Sequence, residues 1–174
     1  MKRNIILTGF MGTGKSTVGQ ILAKNLGYEF LDTDAFIERE EGRSISDIFR
    51  DDGEHYFRQL ETKLVLRIRI LEGVVVATGG GMILKPEHRN WFREKGIIVC
   101  LDAKLDTLLK NLADSTHRPL LDREAEQDRE WKIQKLYYER KKAYMDADWI
   151  CMIDDKTPQQ VAREIVDALA GQLK

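Results

Sequence analysis

Eight residues near the N-terminus constrain this chain more than any others. Gly9-Phe10-Met11-Gly12-Thr13-Gly14-Lys15-Ser16 fits the pattern G-x-x-x-x-G-K-[ST]. The apolar, β-branched run Asn4 to Thr8 precedes it and reads as a buried strand. Ser16 to Leu26 follows, with Val18, Ile21, Leu22 and Leu26 at helical spacing and Gly27 as a C-cap. A strand, a glycine turn and a helix in this register let backbone N–H groups close around phosphate oxygens, with the positive end of the helix behind them. Gly12, Thr13, Gly14 and Thr17 line that cradle, Lys15 is spaced to reach β- and γ-phosphates, and the Ser16 hydroxyl is offered to Mg²⁺. Nucleoside triphosphate binding is the first expectation.

The remaining chain alternates strand and helix. Further strands are expected at 29–31, 74–77, 97–101 and 149–153. Helices are expected at 34–50 with a break at Gly42, and at 53–72, 104–112 and 130–145, with a short one from Pro86. Ser44 with Asp47, and Thr157 with Gln160, have the spacing of capping boxes. Phe57, Leu60, Leu64, Ile68 and Leu71 make one continuous helical face. Five short apolar strands separated by helices predict an α/β fold, a parallel sheet with helices on both sides. The 174 residues suffice for one domain, 1–174. A charged stretch without periodicity, about 113–127, reads as an insertion within it.

Several functional classes are disfavoured. Lys plus Arg is 28 and Asp plus Glu 29, a net charge of −1 that argues against a nucleic-acid coat. No apolar run approaches the roughly 20 residues of a membrane span. The apolar run at the N-terminus breaks at Gly9, too soon for a signal peptide, so a cytoplasmic location is expected. Cys100 and Cys151 lie in apolar segments and read as buried, reduced thiols. His55, His88 and His117 are scattered and read as surface residues rather than metal ligands. The D-x-x-G and N-K-x-D patterns of GTPase switches do not occur. A kinase whose lid keeps water from the γ-phosphate fits the size and the insertion.

Candidate acceptor residues follow the second and third strands. Asp32-Thr33-Asp34 stands at a strand's carboxyl end, where open α/β sheets bind ligands. Spacing alone leaves Asp34 either as the cap of a helix starting at Ala35 or as the carboxylate that takes a hydroxyl proton. Arg58 and Glu61, at i and i+3, share a helix face as an exposed pair or as part of a site. Gly79-Gly80-Gly81 permits close approach to backbone.

Taken in order, these motifs resemble the shikimate kinase family over nearly the whole chain. They are G-F-M-G-T-G-K-S-T-V-G at 9–19, D-T-D at 32–34, I-x-x-I-F and G-E-x-x-F-R-x-x-E across 45–61, T-G-G-G at 78–81, R-P-L-L at 118–121, then Arg140 and Tyr144. The resemblance implies a nucleoside-monophosphate-kinase-like, three-layer P-loop NTPase fold with strand order 2-3-1-4-5. It implies a shikimate-binding segment at about 33–61 and a lid at about 112–127. The implied reaction is ATP-dependent phosphorylation of the shikimate 3-hydroxyl with Mg²⁺, by a monomer that takes shikimate and ATP and neither nucleic acid nor membrane. Asp34 would be the base and Asp32 would hold Mg²⁺ with Ser16. Arg58 and Arg140 would grip the substrate carboxylate and Glu61 would orient Arg58. Gly80 and Gly81 would contact the substrate, Phe49 and Phe57 would wall its pocket, and Arg118 and Lys15 would stabilise the transferring phosphoryl group. Where some members carry a second arginine seven residues before the lid arginine, this chain has Asn111. Lys156, two residues before Pro158, would touch the adenine. Lys15, Arg58, Arg118 and Arg140 are expected to converge on one cleft with most acids elsewhere. A gluconate-type kinase and a non-catalytic nucleotide-binding module are the alternatives.

Overall fold

The computed structural model describes residues 2–113 and 126–173. Five strands, β1 (Asn4–Thr8), β2 (Glu29–Asp32), β3 (Val74–Ala77), β4 (Gly96–Asp102) and β5 (Trp149–Met152), form one sheet in the order β2-β3-β1-β4-β5. Every pairing is parallel, and β1 lies at the centre with Ile5 beside both Val75 and Ile97. The helices are α1 (Lys15–Leu26), α2 (Thr33–Glu41), α3 (Ile45–Asp51), α4 (Gly53–Ile68), α5 (Pro86–Lys95), α6 (Leu105–Ala113), α7 (Glu126–Met145) and α8 (Pro158–Leu169).

Alternation along the strands divides the core between the two faces. Ile5 and Leu7 of β1 pack with Val18 and Leu22 of α1 and Ile165 and Leu169 of α8. Ile6, between them, packs on the other face with Leu64, Val65 and Ile68 of α4, Phe92 of α5 and Tyr144 of α7. All these side chains are removed from water, so both faces of the sheet are covered, as parallel sheets require. Because the strands are parallel, the loops after β1, β2 and β3 emerge along one edge, which places the phosphate loop, the Asp32–Asp34 turn and the triple glycine side by side.

Some boundaries differ from the sequence expectation. Helix α4 ends at Ile68, not at Glu72. Beyond it the chain tightens through Ile70 N to the Arg67 carbonyl and Leu71 N to the Ile68 carbonyl, and Asn4 then holds the approach to β3, its Nδ2 donating to the Leu71 carbonyl at 2.8 Å and its Oδ1 accepting from Val74 N at 3.0 Å. The Gly42 break is real and separates α2 from α3, whose N-cap Ser44 accepts from Asp47 N. The capping box at Thr157 and Gln160 is complete. Cys100 and Cys151 are buried free thiols, and burial pushes them up to about 12 and about 11. His88 is not a surface residue: it is 1 % exposed. Its Nδ1 faces the Met82 carbonyl at 2.8 Å and its Nε2 lies 3.0 Å from Thr62 Oγ1, which satisfies both ring nitrogens away from water. No described helix is long and apolar enough to cross a membrane.

Candidate active site

The phosphate loop has the conformation its glycines permit. Gly12 and Gly14 have φ of 85° and 77°, a region costly for other residues, and Gly14 serves as the N-cap of α1. Lys15 Nζ donates to the carbonyls of Gly9 and Phe10 at 2.9 and 3.0 Å, so the ammonium lies over the loop. Beside the loop is a cavity of about 510 Å³, bounded by Gly12, Thr13, Thr107, Asn111, Lys156 and Pro158 among others. Asn111 Nδ2 donates to the Gly12 carbonyl at 2.9 Å and ties α6 to the loop. Lys156 borders the same cavity, with its Nζ 2.5 Å from Glu164.

Asp32 resolves the ambiguity over helix capping. It, not Asp34, caps α2: its Oδ1 accepts from Asp34 N and Ala35 N at 3.1 and 3.2 Å. Asp32 fits the cap position because its backbone is still extended. Its Oδ2 accepts from Ser16 Oγ at 2.5 Å, joining the phosphate loop to the acceptor turn through oxygen atoms alone. Asp34 lies in the first turn of α2. Burial and then the neighbouring Asp32 raise its carboxyl to about 6, against the pull of Lys15 and Arg58. It therefore remains mainly ionised at neutral pH while being a far stronger base than an exposed aspartate.

The glycines after β3 admit these side chains. A Cβ on Gly79 would fall 2.2 Å from Asp34 Oδ1, and one on Gly81 would fall 2.2 Å from Arg58 Nη1. Neither position could carry a side chain without displacing a site residue. The turn is fixed by Thr33, whose Oγ1 accepts from Gly79 N at 2.7 Å, a contact without a sequence signal. Arg58 Nη1 donates to Glu61 Oε2 at 2.7 Å, and Glu61 is 1 % exposed, so this is no surface ion pair. Burial raises the Glu61 carboxyl, with Arg58 opposing, and its Oε1 is left without a protein partner. Glu54, which the sequence reading left without a role, accepts from Arg58 Nε and Nη2 at 3.1 and 2.9 Å. Phe49 and Phe57 lie together, centroids 4.9 Å apart, with the Arg58 guanidinium 5.4 Å from the Phe57 ring. Arg140 approaches from α7, its Nη1 3.6 Å from where a Gly80 Cβ would stand.

This assembly can hold a polyanion at the loop and a small hydroxylated anion beside Asp34. The shikimate kinase family profile matches residues 11–170. Shikimate kinases of Caldanaerobacter subterraneus subsp. tengcongensis and of a Sulfurihydrogenibium species are 42 % and 45 % identical over 166 and 164 residues, covering 95 % and 94 % of this chain and 95 % and 96 % of theirs. The chain belongs to the shikimate kinase family. The solved structure of the Acinetobacter baumannii shikimate kinase in complex with shikimate superposes with a TM-score of 0.90 at 35 % identity, covering all of this chain and 97 % of that one. Within this family member, the carboxyl edge of the sheet brings together Lys15, Ser16, Asp32, Asp34, Arg58 and Glu61, with Gly80, Gly81 and Arg140. Arg118 and most of the expected lid lie outside the described residues. Asp32, Asp34, Glu54 and Glu61 stand in the same group, and two of them, Glu54 and Glu61, partner Arg58, whose guanidinium is partly withdrawn from water.

Proposed function

We propose that this chain transfers the γ-phosphoryl group of ATP to the 3-hydroxyl of shikimate, forming shikimate 3-phosphate and ADP on the way to chorismate and the aromatic amino acids. The observation that carries the reading, beyond family membership, is Asp34. It is a buried carboxylate raised to about 6 and set against the Gly79 turn, near the ammonium of Lys15 and the guanidinium of Arg58. A small carboxylic acid with vicinal hydroxyls meets a base, a cation for its carboxylate and a phosphate donor within one cleft.

In this reading Asp34 accepts the proton of the attacking hydroxyl, and Arg58 and Arg140 hold the carboxylate. A planar guanidinium suits that task better than an ammonium. Glu61 keeps Arg58 in place, Phe49 and Phe57 wall the pocket, and the backbone of Gly80 and Gly81 meets the substrate. Lys15 exchanges the Gly9 and Phe10 carbonyls for the phosphates held by Gly12 to Thr17, and Lys156 lies toward the base. Arg118, from the segment at about 112–127, would add charge at the transferring group. Phosphoryl transfer depends on this positioning and neutralisation more than on covalent chemistry. The hydroxyl of Ser16 beside the carboxylate of Asp32 is a donor set suited to Mg²⁺, Ser16 directly and Asp32 through water. Bound there, Mg²⁺ would neutralise the β- and γ-phosphate oxygens. The whole of 1–174 then acts as one kinase domain, with 33–61 as its acceptor segment.

A coupled ADP-release assay across shikimate, gluconate and nucleoside monophosphates, with and without Mg²⁺, tests the proposal. ADP release dependent on both shikimate and Mg²⁺ is expected. ATP turnover indifferent to shikimate would overturn it.

A further inference from the structure

The family motif that ends in Arg140 and Tyr144 leaves the tyrosine without a role, and the structure supplies one. Tyr144 projects from the last turn of α7 and is 2 % exposed. Its hydroxyl donates to the Gly80 carbonyl at 2.7 Å. Its ring meets the Phe10 ring edge-on, with centroids 6.4 Å apart and planes at 73°. Phe10 belongs to the phosphate loop and is itself 2 % exposed; Tyr137, seven residues earlier on α7, also meets it edge-on at 5.5 Å. The phosphate loop, α7 and the glycine turn after β3 are thus joined through one side chain.

The Gly80 contact has a specific consequence. Around the turn, Met82 N donates to the Gly79 carbonyl and Leu84 N to the Gly81 carbonyl, which leaves the Gly80 carbonyl to the tyrosine. No described residue accepts from the N–H of Gly80 or of Gly81. The tyrosine therefore fixes one side of a peptide pair whose N–H groups have no acceptor among the described residues. Burial raises the Tyr144 hydroxyl above its ordinary value, with Arg140 opposing, so it stays protonated and able to donate throughout the neutral range.

We infer that Tyr144 is a positioning residue for phosphoryl transfer: it holds the Gly80–Gly81 backbone in register to bind the acceptor, and it takes its own place from the phosphate-loop residue Phe10. The inference rests on the proposed shikimate kinase activity and adds to it a residue that touches neither substrate. Its signature is a loss of acceptor affinity with little loss of turnover at saturation, since a displaced turn weakens binding while Asp34, Lys15 and the phosphate donor remain in place.

The test is steady-state kinetics of Tyr144→Phe, which removes one oxygen and keeps the ring, with unfolding temperature measured in parallel. The shikimate KM is expected to rise about tenfold, the loss typical of one buried hydrogen bond, while kcat and the ATP KM stay within about twofold. The second variant, Phe10→Leu, retains the hydroxyl but removes the ring it leans on, and its shikimate KM is expected to rise about threefold, less than that of the hydroxyl deletion. An unchanged shikimate KM in either folded variant would overturn the inference, as would a fall confined to kcat. If Tyr144→Phe does not fold, Phe10→Leu decides alone. Wild-type protein run alongside separates the two readings: absence of shikimate-dependent turnover there defeats the proposed activity, whereas normal turnover with silent variants defeats only the role of Tyr144.

Discussion

The buried carboxylate of Asp34 is held at the expense of the fold. Its carboxyl is raised from 3.8 to about 6, first by burial and then by Asp32. For a raised acid, the folded protein holds a proton that the unfolded chain has already released, so stability falls as pH rises from about 4 to about 6 and remains lower above it. At 1.36 kcal/mol per pH unit, the cost at neutral pH is at most about 3 kcal/mol. Asp34→Asn removes the buried charge and keeps the shape. The unfolding temperature of the ligand-free variant at pH 7.5 should rise by several degrees, while kcat falls by about 10²–10⁴, the usual contribution of a positioned general base. A destabilised variant with near-native turnover would contradict both roles. In the wild-type protein, kcat/KM for shikimate should decline about tenfold per pH unit below about 6, and a profile flat down to pH 5 would remove Asp34 as the base.

At the start of α2 one side chain makes two kinds of contact. Asp32 caps the helix with one oxygen and meets Ser16 with the other. Asparagine caps as well as aspartate does, so Asp32→Asn should retain stability while Asp32→Ala loses about 1 kcal/mol in denaturant unfolding. Both should lose most Mg²⁺-dependent turnover. Because Asp32 raises the Asp34 carboxyl, the residual activity of Asp32→Asn should have its acid limb shifted to lower pH; an unmoved limb would show that the two carboxylates do not interact. The element scale also shows what was legible in advance. Strong periodicity and local caps announced β1, α1, α3 and α8, because their determinants lie within a few residues. The approach from α4 to β3 was not legible, since Leu71 and Val74 are held there by Asn4, far away in sequence. His88 was misread because its burial depends on Met82 and Thr62, which only the fold brings near. In the site, the spacing of Arg58 and Glu61 foretold a pair but not its depth. The hydroxyl of Thr33 on Gly79 and that of Tyr144 on Gly80 left no trace in any local pattern.

At the scale of the whole molecule, the parallel sheet would let the two proposed anion sites be adjacent and still separable. The phosphate loop follows β1 and the proposed acceptor residues follow β2 and β3 with α4, so each group is built on its own strand ends and both share one core. A ligand that binds only the folded state stabilises it by mass action, by about 2.7 kcal/mol at a hundredfold excess over Kd. For a chain of this size that corresponds to a rise of about 5–10 °C in unfolding temperature. ADP and shikimate should each produce such a rise in the wild-type protein. In Lys15→Ala the ADP shift should largely vanish while the shikimate shift persists. In Arg58→Ala the shikimate shift should vanish while the ADP shift persists, because the Arg58 guanidinium is held by Glu54 and Glu61 of its own helix. Loss of both shifts in either variant, with the unliganded unfolding temperature unchanged, would mean that the two anions do not occupy the separate strand ends assigned to them.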